Sequence, residues 1–262
     1  MANRLHNLLR CLRNKILPAS EGEYVPAPGS PEYPPDFSDQ TKAIIGTVRQ
    51  FTMTSPERIS ALVDAVRYVV KNRIEGAIVE CGVWRGGSMM AVALALLECE
   101  DIGRELYLYD TFEGMTTPGG HDCAYDGTKA NDQFAQVRQT ASDIHWSRCS
   151  ASLEEVQHNL LGTGYPPDRI HFIKGPVEQT LPSIIPADIA LLRLDTDWYE
   201  STRHEMTHLY PQLSPKGVLI IDDYGHWAGA RKAIDEYLEH NALPLLLNRV
   251  DYTGRIAVKP DG

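Results

Sequence analysis

The chain has only five cysteines, Cys11, Cys81, Cys99, Cys123 and Cys149, and no two of them form a C-x-x-C pair. An odd number at wide spacing excludes a disulfide framework and a thiolate zinc site, so all five are expected as free thiols. Long apolar runs are missing as well, with no stretch reaching the roughly 18 residues of a membrane-spanning helix. Positive charge is scarce: 25 Lys and Arg stand against 35 Asp and Glu, for a net charge of -10. Neither nucleic acid nor a membrane is therefore expected as a partner. No internal repeat is present.

What remains is 262 residues with 43% hydrophobic content, which excludes wholesale disorder and suits a large folded domain. In residues 4–16, Arg4, Arg10, Arg13 and Lys15 interleave with Leu5, Leu8, Leu9, Leu12 and Ile16. These charges, and the absence of a small-residue cleavage site after them, read as an amphipathic helix for packing or dimer contact rather than a signal peptide. A cytoplasmic homodimer is expected. Pro18, Pro26, Pro28, Pro31, Pro34 and Pro35 make residues 18–36 an extended arm. The expected division is an N-terminal helix and arm over 1–38 and one domain over 39–262.

That domain reads as α/β. Ser55 before Pro56 is an N-cap candidate, and Ile59, Leu62, Val63, Val66, Val69 and Val70 follow at helical spacing, predicting a helix over about 56–72. Short apolar runs at 77–82, 106–109, 170–173, 189–194 and 218–221 read as buried parallel strands with crossover helices. Runs at 245–248 and 255–258, joined by Asp251-Tyr252-Thr253-Gly254, read as a closing hairpin. Residues 114–150 contain no strand-like run and are expected to cover the site.

In an open parallel sheet, ligands lie outside the carboxyl ends of the strands. Those ends carry Glu80, Asp110, Asp195, Asp197, Asp222 and Asp223. One such Asp is ordinarily a turn or cap residue; their coincidence is the signal. The first turn, Gly82 to Gly87, is neither G-x-G-x-x-G nor a P-loop, so a phosphate cradle is disfavoured. It suits a flat ligand, with Asp110 accepting from a ribose diol. Asp195, Asp197, Asp222 and Asp223 would repel one another in a partly buried site unless a divalent cation neutralised them, and oxygen ligands favour Mg²⁺, Ca²⁺ or Mn²⁺. Alternatively, Asp197 and Asp223 cap the following helices. Trp84, Trp198, Tyr199, Tyr224 and Trp227 are candidates for the acceptor pocket, while His121, His145, His204 and His226 share no spacing that assigns them a role.

Four stretches, Val79-Glu80-Cys81-Gly82-Val83-Trp84-Arg85-Gly86-Gly87-Ser88, Tyr109-Asp110-Thr111-Phe112-Glu113-Gly114-Met115, Leu194-Asp195-Thr196-Asp197-Trp198 and Ile221-Asp222-Asp223-Tyr224, together resemble the macrocin O-methyltransferase family. Its members methylate sugar hydroxyls of macrolides and aminocoumarins with S-adenosyl-L-methionine and Mg²⁺. The resemblance implies a class I, Rossmann-like methyltransferase with a seven-stranded sheet, helices on both faces and a small-molecule glycoside as substrate. The best single acceptor it suggests is the 4-hydroxyl of noviose. It also implies that Glu80, Gly82, Trp84, Arg85, Gly86, Gly87 and Ser88 hold the methionine part of the cofactor, with Asp110 on the ribose and Thr52, Met53 and Phe112 alongside. Asp195, Asp222 and Asp223 would hold the metal. Asp197 would be the catalytic base, or a further metal ligand. The proline-rich arm would help form the lid. Two other readings are an NAD-dependent oxidoreductase, which leaves the later acidic strand ends unexplained, and a non-catalytic binding or dimerisation module.

Overall fold

Two serines set the first two helices. Ser38 Oγ accepts from the Thr41 N–H (3.1 Å) at the head of α1 (Asp39–Val48), and Ser55 Oγ accepts from the Arg58 N–H (3.2 Å) at the head of α2 (Pro56–Lys71). Each satisfies a backbone donor that the helix cannot. The computed structural model describes residues 33–132 and 150–261. The expected helix over 4–16, most of the proline-rich arm and the latter part of the 114–150 cover lie outside the described residues.

Five parallel strands follow: β1 (Ala77–Cys81), β2 (Leu106–Asp110), β3 (Ile170–Lys174), β4 (Ile189–Leu194) and β5 (Leu213–Ile221). Between and after them run α3 (Gly87–Glu98), α4 (Leu153–Gly162), the single turn α5 (Val177–Thr180), α6 (Tyr199–His208) and α7 (Ala228–His240). The chain closes with β6 (Asn248–Arg249) and β7 (Arg255–Val258), and β7 enters the sheet antiparallel to β5. The order is β3-β2-β1-β4-β5-β7-β6. Chain direction across the sheet reverses between β1 and β4, and the crevice opens there.

Both faces of the sheet are covered. Buried residues of α1, α2 and α3 form a core on one side, in which Met89 to Leu96 of α3 are all buried. Met206 of α6 and Ile234 of α7 pack on the other side with Leu192, Leu194, Leu219 and Ile221. No helix among the described residues is long and apolar enough to cross a membrane.

Two strand boundaries differ from expectation. β5 starts at Leu213 rather than Val218, because Leu213 pairs with Ile189 while a register shift before Leu191 absorbs the polar residues between. β6 is reduced to Asn248–Arg249, because Leu243, Leu245 and Leu247 pack against the second core instead of pairing along an edge.

At the switch point Gly82 has φ +80°, and a Cβ there would lie 2.0 Å from the Asp195 carbonyl oxygen. The ends of β1 and β4 can approach this closely only with glycine. Gly82→Ala is expected to cost at least about 2 kcal/mol, from left-handed strain plus overpacking, in a urea titration at constant m-value. Unchanged stability would show that the strand ends can separate freely.

Candidate active site

The carboxyl ends of β1, β4 and β5 border a cavity of about 360 Å³. Its central feature is a cation. Arg193, in the otherwise apolar β4, is 2% exposed and contacts carboxylates from all three strand ends: Glu80 Oε1 on β1, Asp195 Oδ2 just after β4 (2.7 Å) and Asp222 Oδ1 just after β5 (2.5 Å). It also donates to Thr54 Oγ1 at 3.1 Å. Arg58, three residues into α2, donates to Asp222 Oδ2 and, through Nε, to Asp251 Oδ2 at 2.9 Å.

Sequence reasoning left the carboxylates to be neutralised by a metal alone and missed both arginines. A lone Arg in the run Ile189–Leu194 was a readable signal for one of them. Nothing in the sequence pairs Arg58 with a residue 164 positions away.

Around these two guanidiniums, Glu80, Asp195, Asp197, Asp222 and Asp223 cluster at the strand ends, so the acidic groups outnumber the basic ones. Burial pushes Glu80 up to about 8 against the pull of Arg193, and lifts Asp195 to about 6. Burial and then the charge of Asp195 raise Asp197 to about 8, and burial and then Asp197 hold Asp223 well above the ordinary carboxylate range. Burial opposes the charge of Arg193, but Asp195, Asp222 and Glu80 outweigh it and keep the guanidinium charged.

Asp195, Asp222 and Asp223 offer oxygens that all lie within 4.8 Å of one another. Three hard oxygen donors with residual negative charge fit a divalent cation of the Mg²⁺ type. Asp197 lies half-buried beside them in a left-handed conformation (φ 68°). Its N–H donates to Asp223 Oδ2 (3.1 Å), and its Oδ1 accepts from the Trp227 indole N–H (2.7 Å). Asp223 thus fixes the turn that aims Asp197.

Glu80 Oε2 is buried with no hydrogen-bond partner among the described residues, and Glu80 lines the cavity. An orphaned carboxylate oxygen calls for a cationic donor, and the ammonium of a methionine moiety fits. Thr52, Met53, Gly82, Trp84, Ser88 and Asp110 line the same cavity.

The Asp110 carboxylate accepts from the backbone N–H groups of Val83 (2.7 Å) and Trp84 (3.1 Å) with Oδ2, and of Phe112 (2.7 Å) with Oδ1. A carboxylate has about four acceptor positions. Those backbone N–H groups, with the Thr111 hydroxyl 3.4 Å from Oδ1, already take up much of that capacity, so replacing Asp110 would release the first turn.

Arg85, Gly86, Gly87 and Phe112, expected on the cofactor, do not line the cavity. Arg85 turns away to Glu155 Oε1 (2.6 Å) and the Gln50 carbonyl (2.9 Å). Gly86 caps α3, Gly87 lies so close to the Phe51 carbonyl that a Cβ would sit 2.5 Å from it, and Phe112 is buried in the first core. Of the aromatic candidates, Trp84, Trp198 and Trp227 line the cavity, the last two packed edge to face at 5.0 Å. Tyr199 and Tyr224 instead hydrogen-bond Glu236 and Asp235. His226, given no role from sequence, lines the cavity, whereas His145 lies outside the described residues.

A doubly wound sheet with its cavity at the switch point, and an orphaned carboxylate oxygen inside it, defines a Rossmann-like α/β domain built to hold a ligand there. The family model for macrocin O-methyltransferase (TylF) matches residues 36–258, and the chain belongs to that family. The chain is 33% identical over 203 residues to the 8-demethyl-8-(2,3-dimethoxy-alpha-L-rhamnosyl)-tetracenomycin-C 4'-O-methyltransferase of Streptomyces olivaceus, covering 78% of this chain and 73% of the relative. It is 32% identical over 187 residues to the demethyldecarbamoylnovobiocin O-methyltransferase of Streptomyces niveus, covering 71% and 67%. The solved structure of the O-methyltransferase NovP superposes with a TM-score of 0.73 at 26% identity, covering 99% of each chain. The oxidoreductase and non-catalytic readings are set aside.

Arg193→Met is expected to destabilise the protein by about 3–5 kcal/mol, because it leaves Glu80, Asp195 and Asp222 buried without their shared counter-charge. Arg193→Lys should recover only part of this, since one ammonium cannot fork across three carboxylates. Denaturant midpoints at pH 7 test both, and a Met variant as stable as the parent would remove Arg193 from the centre of the site.

Proposed function

We propose that the chain methylates a sugar hydroxyl of a glycosylated natural product, with a divalent cation, Mg²⁺ in the first instance, held by Asp195, Asp222 and Asp223. The observation that carries this reading is the convergence of those three carboxylates beside Asp197, in the cavity that also contains the orphaned oxygen of Glu80. The sugar acceptor is supported by the relatives, one named for the 4' position of a rhamnosyl tetracenomycin and one for demethyldecarbamoylnovobiocin. The 4-hydroxyl of noviose is the first acceptor to test. A homodimer is carried as the working assembly, which a monomer mass by light scattering would overturn.

When bound, the sulfonium supplies an electrophilic methyl and the divalent cation supplies Lewis acidity. The chain does the rest. Glu80 and the Gly82 turn orient the cofactor, Trp84, Trp198 and Trp227 exclude water, and the Asp197 carboxylate takes the hydroxyl proton. Its fixed backbone and the Trp227 N–H hold it in place before the acceptor arrives.

Chelation is expected to abolish turnover of metal-stripped enzyme, and added Mg²⁺ to restore it. Full activity in excess EDTA would remove the metal from the reading.

Asp197→Asn keeps an oxygen for the Trp227 indole but cannot accept the proton, so kcat is expected to fall by ~10²-fold or more with metal affinity retained in calorimetry. Near-parent turnover at saturating metal would refute the base role. A loss of metal affinity equal to that of Asp195→Asn would make Asp197 a ligand instead.

A further inference from the structure

Three aromatic rings from three separate loops meet at the lip of the cavity. The centroid of Tyr125 lies 5.8 Å from that of His226 and 6.0 Å from that of Tyr252, and His226 and Tyr252 are 5.8 Å apart. The triangle is nearly equilateral. The ring planes cross at 57°, 79° and 86°, so edges meet faces, the arrangement that ring quadrupoles favour. His226 and Tyr252 line the cavity, and the Tyr252 hydroxyl is hydrogen-bonded to His226 Nδ1. Tyr125 carries the patch outward. Tyr125 is 67% exposed and Tyr252 55%.

The backbone beneath is fixed. The Gly225 N–H donates to the Thr253 carbonyl (2.9 Å), and a Cβ on Gly225 would lie 2.1 Å from the Tyr252 carbonyl oxygen. Asp251 ties the Tyr252 turn to Ser55 (2.7 Å) and Arg58 (2.9 Å), and Ala124 bridges to Trp227. Two large, well-anchored tyrosines left in solvent beside a cavity mark a surface that something covers.

The cavity, at about 360 Å³, is near the low end of the roughly 300–1,000 Å³ typical of small-molecule sites. On the reading above it must take the reacting end of the cofactor and a sugar ring, so the remainder of a glycoside emerges over the lip. A flat aromatic group laid on one tyrosine meets the neighbouring ring nearly edge-on, whereas a puckered ring or aliphatic chain gains only one of these contacts.

We propose that Tyr125, His226 and Tyr252 form an aglycone subsite that takes a flat, uncharged aromatic aglycone. This rests on the glycoside reading proposed above. The test compares the coumarin glycoside and the methyl glycoside of one sugar. In the parent enzyme the coumarin glycoside should have a KM about 10-fold below that of the methyl glycoside, as one or two aromatic contacts would give. That ratio should approach one in Tyr125→Ala and Tyr252→Ala and survive in Tyr252→Phe, which keeps the ring.

Calorimetric binding of the coumarin glycoside to the full-length protein loaded with S-adenosylhomocysteine gives a second readout, independent of turnover. Tyr125 is exposed, so its variant is expected to fold, which a thermal melt checks. Equal KM values for the two glycosides, or coumarin-glycoside binding indifferent to Tyr125→Ala, would each overturn the subsite. Tyr125-dependent binding without methylation of any glycoside would keep the subsite and overturn the glycoside reading.

Discussion

Arg193 places one guanidinium where three strands end, and the site is organised around that charge. Glu80 belongs to β1, Asp195 follows β4 and Asp222 follows β5, yet all three contact the same side chain. Burying a guanidinium is unfavourable unless its donors are met, and here carboxylates and the Thr54 hydroxyl meet them. The Glu80 side of the cavity and the Asp195 and Asp222 side are thereby coupled through a single planar group. A shift of one carboxylate must be answered by the other two.

A second constraint lies in the turns that leave the strands. Trp84, Phe112 and Asp197 all have positive φ (44°, 52° and 68°) and follow the ends of β1, β2 and β4. Non-glycine residues hold this conformation only when their surroundings impose it. Carboxylates impose it here: Asp110 accepts from the N–H groups of Trp84 and Phe112, and Asp223 from that of Asp197. Several acidic strand ends therefore serve the backbone. They do so in the turns and not as helix caps: the expected capping of the following helices by Asp197 and Asp223 does not occur, because the N-cap positions of α6 and α7 are Trp198 and Trp227, with no side-chain cap.

The strands and the acidic strand ends were legible for the same reason. Strands buried on both faces must be nearly all apolar, so the first polar residue after each run marks where the chain reaches the crevice. β5 hid its start because Ser214, Pro215 and Lys216 precede the apolar run, and β6 because alternating leucines pack on the core without pairing. The partners were less legible than the residues. Asp110 was recognisable as a site residue, but its grip on backbone N–H groups has no letter in a sequence. Arg58 meets Asp222 only because α2 packs beside β5, and Tyr125, His226 and Tyr252 need three loops to be placed together. The outward turn of Arg85, from within a motif that reads as cofactor-binding, depends on α4 supplying Glu155.

The incomplete neutralisation of the cavity has a chemical consequence. Arg58 and Arg193 offset only part of the negative charge that the strand ends bring to the cavity, which leaves negative charge for cationic ligands. On the proposed reading, methyl transfer removes the positive charge of the sulfonium while the acceptor's proton removes the negative charge of Asp197. A buried, water-poor site disfavours separated charge more strongly than bulk water does. On that reading, low-dielectric surroundings act in the direction of reaction, because the product state contains one fewer pair of charges than the reactant state.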